Sequence, residues 1–209
     1  MVCVIVGSMP EEKLFIPPNS FIIAADKGFE QLQKRGITPH LTVGDFDSLG
    51  YVPQCENLVR HPVQKDDTDM LLAVREGLKR GYKKFILYGG IGGRLDHTFA
   101  NIQTLAFLKK SGASAVLYGE DTAIMLIEDE SVSFSCDESG YVSVFSYGGK
   151  AFGVSEKGLK YSLSDAEIDD TFPIGVSNEF IGQKSEISVK NGRLLIVYKT
   201  DPKNAIKQL

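Results

Sequence analysis

The order in which strand and helix patterns follow one another is the strongest constraint on how this chain can fold. Across residues 2–118, short apolar runs that end at Gly, Asp or Ser alternate with stretches of helical spacing. The runs are Val2–Val6, Phe21–Ala25, Leu41–Val43, Phe85–Tyr88 and Ala115–Leu117. Such alternation is typical of right-handed βαβ units. It predicts an α/β fold that begins with a three-layer αβα domain around a mostly parallel sheet.

The stretches between these runs carry apolar residues at helical spacing. The predicted faces are Phe29 and Leu32; Leu71, Val74 and Leu78; and Phe99, Ile102 and Ala106. Residues spaced in this way lie on one side of a helix. We therefore expect these faces to pack in the core, and we expect the aromatic side chains of Phe29, Phe99 and Phe107 to pack there too rather than stack on a ligand.

Beyond about residue 120 the pattern changes to short strands separated by turn residues. The strand patterns lie at Val132–Phe134, Tyr141–Phe145, Leu159–Leu163, Ile187–Val189 and Leu194–Tyr198. Asn191-Gly192 is typical of a type I′ turn and predicts a tight connection between the last two strands. No helical pattern is evident in this half, which predicts a C-terminal all-β sandwich. The predicted domains are residues 1–120 and 121–209.

Composition argues against several classes of partner. The chain has 209 residues and a formal net charge of −4, whereas a protein that binds nucleic acid by counterion release is normally basic. Its apolar runs are too short to span a bilayer. The three cysteines form no Cys-x-x-Cys pair, and the N-terminus lacks the features of a signal peptide. We therefore expect no nucleic-acid or membrane partner and a cytoplasmic location.

Acidic residues follow the predicted strands in several separate loops. These residues are Asp26, Asp45, Asp47, Asp66, Asp67, Asp69 and Asp96. Ligands of open parallel sheets bind at the carboxyl ends of the strands, so we expect these side chains to meet at one edge. Clustered carboxylates repel one another and a phosphate, and Mg²⁺ relieves both repulsions. The sequence predicts a magnesium–phosphate site with Asp45, Asp47 and Asp69 as ligands, although a residue of 66–68 could equally cap the next helix.

A glycine-rich segment, Gly89–Arg94, follows one strand and opens a helix. Its glycines, including Gly92 and Gly93, allow backbone N–H groups to approach phosphate oxygens, and Arg94 can bind a phosphate with two donors. His97 could polarise a phosphate or make one structural hydrogen bond. Leu95 stands where a dinucleotide fingerprint needs Gly, and no Gly-Lys-Ser/Thr occurs. A dinucleotide dehydrogenase and a P-loop NTPase are therefore both disfavoured.

Taken together, the motifs resemble those of the thiamine pyrophosphokinase (thiamine diphosphokinase) family. They are Gly-Asp-Phe-Asp-Ser (44–48), Asp-Asp-Thr-Asp (66–69), Gly-Gly-Arg-Leu-Asp-His (92–97) and Ser177-Asn178, in the family's order. The resemblance implies an α/β domain, a β-sandwich and a homodimer whose thiamine pocket is shared between one subunit's α/β domain and the other's sandwich.

Residue by residue, the resemblance implies the following roles. Asp45, Asp47, Asp69 and Asp96 match acidic metal and phosphate positions, Arg94 matches a phosphate-contacting arginine, Asp26 lies near the nucleotide, and Ser177 and Asn178 match the thiamine-contacting pair. The implied reaction moves the pyrophosphoryl group of ATP to thiamine with Mg²⁺, and either Asp69 or Asp96 accepts the hydroxyl proton. The alternatives are a metal-dependent nucleotidyl- or glycosyltransferase and a nucleotide-sensing module.

Overall fold

The computed structural model describes residues 1–47, 49–60 and 67–209 of the chain. These residues divide into two compact units, an N-terminal unit (Met1–Glu120 with Leu209) and a C-terminal unit (Asp121–Gln208). Within the described ranges, no helix is both long and apolar enough to cross a membrane. The predictions that concern Ser48 and Asp66 lie outside the described residues.

A parallel sheet forms the centre of the N-terminal unit. Its strands are β1 (Cys3–Val6), β2 (Phe21–Ala25), β3 (Leu41–Gly44), β4 (Leu58–Arg60), β5 (Lys84–Tyr88) and β6 (Ser114–Gly119). They pair in the order β6-β5-β1-β2-β3-β4. Strands β1 and β3 are buried along their whole length, as expected when helices cover both faces of a sheet. The direction of the chain through the sheet reverses between β1 and β5.

Helices α1 (Gly28–Gln33), α2 (Asp69–Lys79) and α3 (Leu95–Lys110) connect the strands. Right-handed crossovers place α1 on one face of the sheet and α2 with α3 on the other. The connection through α1 runs across the sheet from β2 to β3, whereas those through α2 and α3 run in the opposite direction, from β4 to β5 and from β5 to β6. Helices α2 and α3 contact each other. The predicted αβα arrangement, and with it the predicted fold class, is confirmed.

The predicted buried face of α3 is wrong. Phe99 is 61% exposed, and the buried residues are Asn101, Thr104, Leu105 and Leu108. Asn101 can be buried because its Nδ2 donates a hydrogen bond of 2.8 Å to the Gly90 carbonyl. The apolar spacing therefore marked the wrong side of this helix. Phe29 does pack in the core as predicted.

Two antiparallel sheets form the C-terminal unit. The strands are β7 (Thr122–Glu128), β8 (Ser131–Phe134), β9 (Ser139–Ser146), β10 (Ala151–Lys157), β11 (Leu163–Ile168), β12 (Gly175–Ile181), β13 (Ser185–Ser188) and β14 (Arg193–Lys199). One sheet has the order β12-β9-β14-β7 and the other β11-β10-β13-β8. Phe134 of β8 contacts Phe180 and Tyr198 of the opposite sheet, with ring centroids 5.2 and 5.1 Å apart. This aromatic cluster lies in the core of a β-sandwich, as the sequence predicts.

Two predictions about connections in this unit are wrong. Of residues 159–163, only Leu163 belongs to a strand, because Tyr161 is held in a loop by hydrogen bonds with Asn178. Asn191-Gly192 does not close a hairpin, since β13 and β14 belong to different sheets. Of the two, Gly192 has a positive φ of 109°, whereas a type I′ turn needs two positive values.

The prediction of an all-β second half also needs correction, because a short helix, α4 (Pro202–Ile206), ends the chain. Asp201 caps it by accepting hydrogen bonds from the backbone N–H groups of Lys203 and Asn204, at 2.8 and 3.0 Å. Proline at the first helical position after an acidic cap is a known start signal. The start of α4 could therefore have been predicted from Asp201-Pro202, although not from the spacing of apolar residues.

Candidate functional site

A cleft of about 460 Å³ lies at the carboxyl ends of the parallel strands. Its lining comes from the segments after β1, β2, β3 and β5 and from the start of α2. It includes the point beside β1 and β5 where the strand order reverses, which is where open α/β sheets bind ligands. The predicted residues that line it are Asp26, Asp45, Asp47, Asp69, Gly92, Arg94 and His97. Gly93 and Asp96 lie next to lining residues in the chain but are not part of the lining.

Three carboxylates converge in this cleft. Asp26, Asp45 and Asp47 each have an oxygen within 4.8 Å of those of the other two. This group contains Asp26 in place of the predicted Asp69, which lines the cleft at the first residue of α2. Such a set of hard oxygen donors fits a magnesium ion, because a divalent cation offsets their mutual repulsion.

The loop after β3 presents Asp45 and Asp47 through an unusual backbone. Phe46, which stands between them, has a positive φ of 65°. That conformation is rare for a bulky side chain. The Phe46 ring is buried, and an added Cβ on Gly44 would lie 3.3 Å from its Cε1 atom. Burial of the ring therefore anchors the loop, and a backbone N–H of Asp47 donates to Asp45 Oδ1 at 3.2 Å.

Asp26 occupies the turn between β2 and α1. It is buried and has a positive φ of 49°, a conformation that Asp tolerates better than most residues. Its backbone N–H donates to the Val43 carbonyl at 2.9 Å, and its carbonyl accepts from Phe29 N–H at 3.1 Å. The first bond ties the turn to the neighbouring strand β3, and the second ties it to α1. The position of Asp26 beside Asp45 and Asp47 therefore follows from the pairing of β2 with β3.

At the start of α2, one residue caps the helix and a different residue presents its carboxylate to the cleft. The Thr68 hydroxyl accepts a hydrogen bond from Leu71 N–H at 3.2 Å and is the cap. Asp67 forms an ion pair with Arg75, with a separation of 2.7 Å between Nε and Oδ2. Within this part of the motif, Asp69 is the carboxylate that lines the cleft.

Arg94 and Asp96 pair with each other at the start of α3. Arg94 Nη2 lies 2.5 Å from Asp96 Oδ2, and Arg94 Nε lies 3.1 Å from Asp96 Oδ1. The hydrogen bond from Arg94 lowers the pKa of the Asp96 carboxyl, and the same contact raises the pKa of Arg94. Both side chains are exposed, so a phosphate can compete for the guanidinium. A lowered pKa makes Asp96 a weaker base.

The glycine-rich loop packs against a segment that the sequence interpretation missed. Residues Gly7, Ser8 and Met9 follow β1 and line the same cleft. Met9 N–H donates to the Gly89 carbonyl at 3.2 Å, and a Cβ added to Gly93 would lie 2.6 Å from Met9 Sδ. Gly7 follows an apolar run directly, so the strand-end rule could have identified it. Asn101, which holds the Gly90 carbonyl from the buried side of α3, had no such signal.

Ser177 and Asn178 lie on β12 in the C-terminal unit. Ser177 is exposed with a positive φ of 62°, at an irregularity in the pairing of β12 with β9. Asn178 is buried and lines a cavity of about 240 Å³ within this unit. Asn178 Nδ2 donates to Glu156 and to the Tyr161 carbonyl, while its Oδ1 accepts from the N–H groups of Tyr161 and Glu179. These four bonds use the full capacity of the amide.

The fold and the cleft define a class of protein with an acidic cleft at the switch point of a parallel sheet and a β-sandwich as a second unit. Matches to models of known families identify the family within this class. Residues 13–117 match "Thiamin pyrophosphokinase, catalytic domain" and residues 126–194 match "Thiamin pyrophosphokinase, vitamin B1 binding domain". The chain belongs to the thiamin pyrophosphokinase family, which confirms the resemblance.

Individual relatives are similar in sequence to this chain over most of its length. The chain is 26% identical to the thiamine pyrophosphokinase of Bacillus subtilis over 92% of its own length and 94% of the relative's. It is 24% identical to thiamin pyrophosphokinase 1 of Caenorhabditis elegans, over 86% and 82%. The crystal structure of the Bacillus subtilis protein superposes with a TM-score of 0.85 at 24% identity, covering 96% of this chain and all of the other. At that identity the superposition shows a shared fold.

Proposed function

We propose that this protein transfers the pyrophosphoryl group of ATP to the hydroxyethyl oxygen of thiamine, giving thiamine diphosphate and AMP, with Mg²⁺ as cofactor. The observation that carries the proposal is the convergence of Asp26, Asp45 and Asp47 in the strand-end cleft of a member of this family. In the reaction, the hydroxyl oxygen bonds to the β-phosphorus of ATP. The bond from that phosphorus to the α–β bridging oxygen breaks, AMP leaves, and the hydroxyl proton goes to a base.

The side chains of the cleft supply position and charge. Asp26, Asp45 and Asp47 would hold the magnesium ion, whose chemistry is to neutralise charge on the phosphates. Arg94, at the start of α3, would exchange its contact with Asp96 for a phosphate oxygen. The backbone of Gly92 and the helix N-terminus beside it favour an anion at this point. Catalysis then consists mainly of orientation and electrostatic stabilisation, as in other phosphoryl transfers.

Of the two candidates for the base, the geometry supports Asp69. It lines the cleft, whereas Asp96 is bound to Arg94 by two contacts that lower the pKa of its carboxyl. Asp96 is therefore proposed to position Arg94. Asn178, with its amide fully hydrogen-bonded, is proposed to position the thiamine site of the C-terminal unit, and Ser177 to contact the substrate.

Product analysis tests the proposed reaction. With ATP, Mg²⁺ and thiamine, we expect AMP and thiamine diphosphate in equal amounts, and neither after chelation of the metal by EDTA. The control omits thiamine, and AMP should then not accumulate. Release of inorganic pyrophosphate, or of another nucleotide product, would instead indicate the alternative nucleotidyl- or glycosyltransferase. Nucleotide binding without thiamine-dependent ATP consumption would indicate the sensing module.

We also propose a homodimer, on the basis of the family resemblance and of the exposed apolar side chains of the C-terminal unit. Phe172, Ile174 and Val176 are 64%, 56% and 45% exposed, and exposed apolar groups of this kind are frequent at interfaces. Light scattering after size exclusion should give twice the chain mass of 22.9 kDa. A fully active species with the mass of one chain would contradict the dimer. The cytoplasmic location and the lack of nucleic-acid and membrane partners stay predictions from the sequence.

A further inference from the structure

The C-terminal unit contains a carboxyl group where its fold calls for an apolar side chain. Glu156 lies on β10, two residues after the buried Val154 and on the same inward face of the sandwich, and it is only 3% exposed. Burial of an ionisable group costs free energy unless hydrogen bonds compensate for the lost water. A buried carboxyl at such a position therefore needs a physical explanation.

Hydrogen bonds within the protein satisfy this carboxyl in part. Glu156 Oε2 accepts a hydrogen bond of 2.8 Å from Asn178 Nδ2. Among the described residues, this is the one hydrogen bond that the Glu156 carboxyl makes. The Asn178 amide has no further donor, because its other N–H is used by the Tyr161 carbonyl. Burial raises the pKa of Glu156, and the Asn178 bond opposes that rise. A second donor from a ligand would stabilise the ionised carboxylate further.

Glu156 also lines the cavity of about 240 Å³ that Asn178 borders. The other walls include Leu163, Ile174 and Val176, with Tyr161 at the side. Since one water takes up roughly 30 Å³ in the liquid, the cavity has room for a substituted six-membered ring. Its chemistry suits a flat ring that presents apolar faces to the walls and an N–H donor to the carboxyl.

We propose that Glu156 recognises the aminopyrimidine end of thiamine by accepting a hydrogen bond from its amino group. The inference rests on the proposed function and adds a specificity-determining residue to it. Of the two rings of thiamine, the aminopyrimidine carries N–H donors and the thiazolium carries none. The orientation of the substrate follows, with the aminopyrimidine in the cavity and the thiazolium hydroxyethyl group left outside for the reaction.

Substitution Glu156→Gln tests this role. Gln keeps the shape and can still accept from Asn178 Nδ2, so the fold should persist, and thermal unfolding checks it. The matched control is Glu167→Gln, an exposed glutamate of β11 that pairs with Lys150. The ligands are thiamine and oxythiamine, in which an oxo group replaces the amino group and turns a donor into an acceptor. Equilibrium binding is measured on the full chain without ATP, and steady-state kinetics are measured with it.

The unmodified protein and the Glu167→Gln control should bind thiamine more tightly than oxythiamine. In Glu156→Gln we expect the dissociation constant and KM for thiamine to rise roughly ten- to hundredfold, as for loss of a hydrogen bond to a charged group, with kcat little changed. The preference over oxythiamine should shrink at least about tenfold, because the amide can donate to the oxo group.

The outcomes separate this inference from the proposed function. An unchanged preference in Glu156→Gln, or equal weakening for both ligands, overturns the role of Glu156 while the transfer reaction stands. A Glu156-dependent preference in binding without any transfer to thiamine supports the inference and contradicts the proposed function. Binding of neither ligand by the unmodified protein overturns the inference.

Discussion

Asp47→Asn should lower kcat by roughly a thousandfold or more, which corresponds to at least about 4 kcal/mol of lost transition-state stabilisation. Asp47 is one of the three carboxylates whose oxygens converge within 4.8 Å. An amide oxygen has the same shape but lacks the full charge, so the remaining pair would hold a divalent cation more weakly. The magnesium concentration needed for half-maximal activity should therefore rise as well. Both quantities are measured by AMP release at increasing Mg²⁺.

The fold should tolerate this change. Asp47 is exposed, and the hydrogen bond that orders the loop uses its backbone N–H rather than its side chain. We expect the free energy of unfolding to change by less than about 0.5 kcal/mol. Asp170→Asn, at an exposed position of the C-terminal unit, is the matched control and should keep full activity. An Asp47→Asn protein that retains more than a tenth of the activity would rule out the proposed metal site.

Gly28→Ala should destabilise the N-terminal unit by about 3–5 kcal/mol. A Cβ built on Gly28 lies 1.8 Å from the Val6 carbonyl oxygen and 2.5 Å from its carbon. These are backbone atoms of β1, so no side-chain rotation relieves the overlap, and α1 must move away from the strand. For a chain of this length the melting temperature should fall by roughly 10 °C. Activity should fall too, because the displaced turn carries Asp26.

Gly36→Ala is the control for this substitution. Gly36 has a positive φ of 68°, but no atom lies within 4 Å of an added Cβ. Its expected cost is the left-handed backbone alone, roughly 1–2 kcal/mol. Calorimetry measures both variants, and hydrogen exchange at β1 and α1 shows where the loss occurs. If Gly28→Ala melts at or above the temperature of Gly36→Ala, the close approach of α1 to β1 is not a constraint.

Strands and helices were predictable where their burial is simple. Strands β1 and β3 are buried on both faces, so they appear in the sequence as continuous apolar runs. The edge strand β4 has two half-buried residues and one exposed residue, and it gave no such run. In the sandwich, β10 and β12 were missed because the inward positions Glu156 and Asn178 are polar and break the alternation. Of these two residues, Glu156 is the one proposed to contact the substrate, and Asn178 is its hydrogen-bond partner.

The candidate site was predictable in its location more than in its contacts. The strand-end rule brought Asp26, Asp45, Asp47 and Asp69 to one cleft, and all four line it. It did not indicate that Asp26 completes the carboxylate group, which depends on the pairing of β2 with β3. Nor did it indicate the pair between Arg94 and Asp96, which lowers the pKa of the Asp96 carboxyl.

By itself, the sequence determined the fold class, the family and the edge of the sheet where the acidic residues gather. The fold class and the edge follow from short-range patterns, namely the period of apolar residues and the polar residues that end each strand. The family follows from the resemblance of the motifs. The tertiary structure alone decided the conformation of Phe46, the buried side of α3 and the hydrogen bonds of Glu156 and Asn178. The hydrogen bond between Glu156 and Asn178 joins residues 22 positions apart in the chain, and a buried polar group is placed by the donors and acceptors that satisfy it.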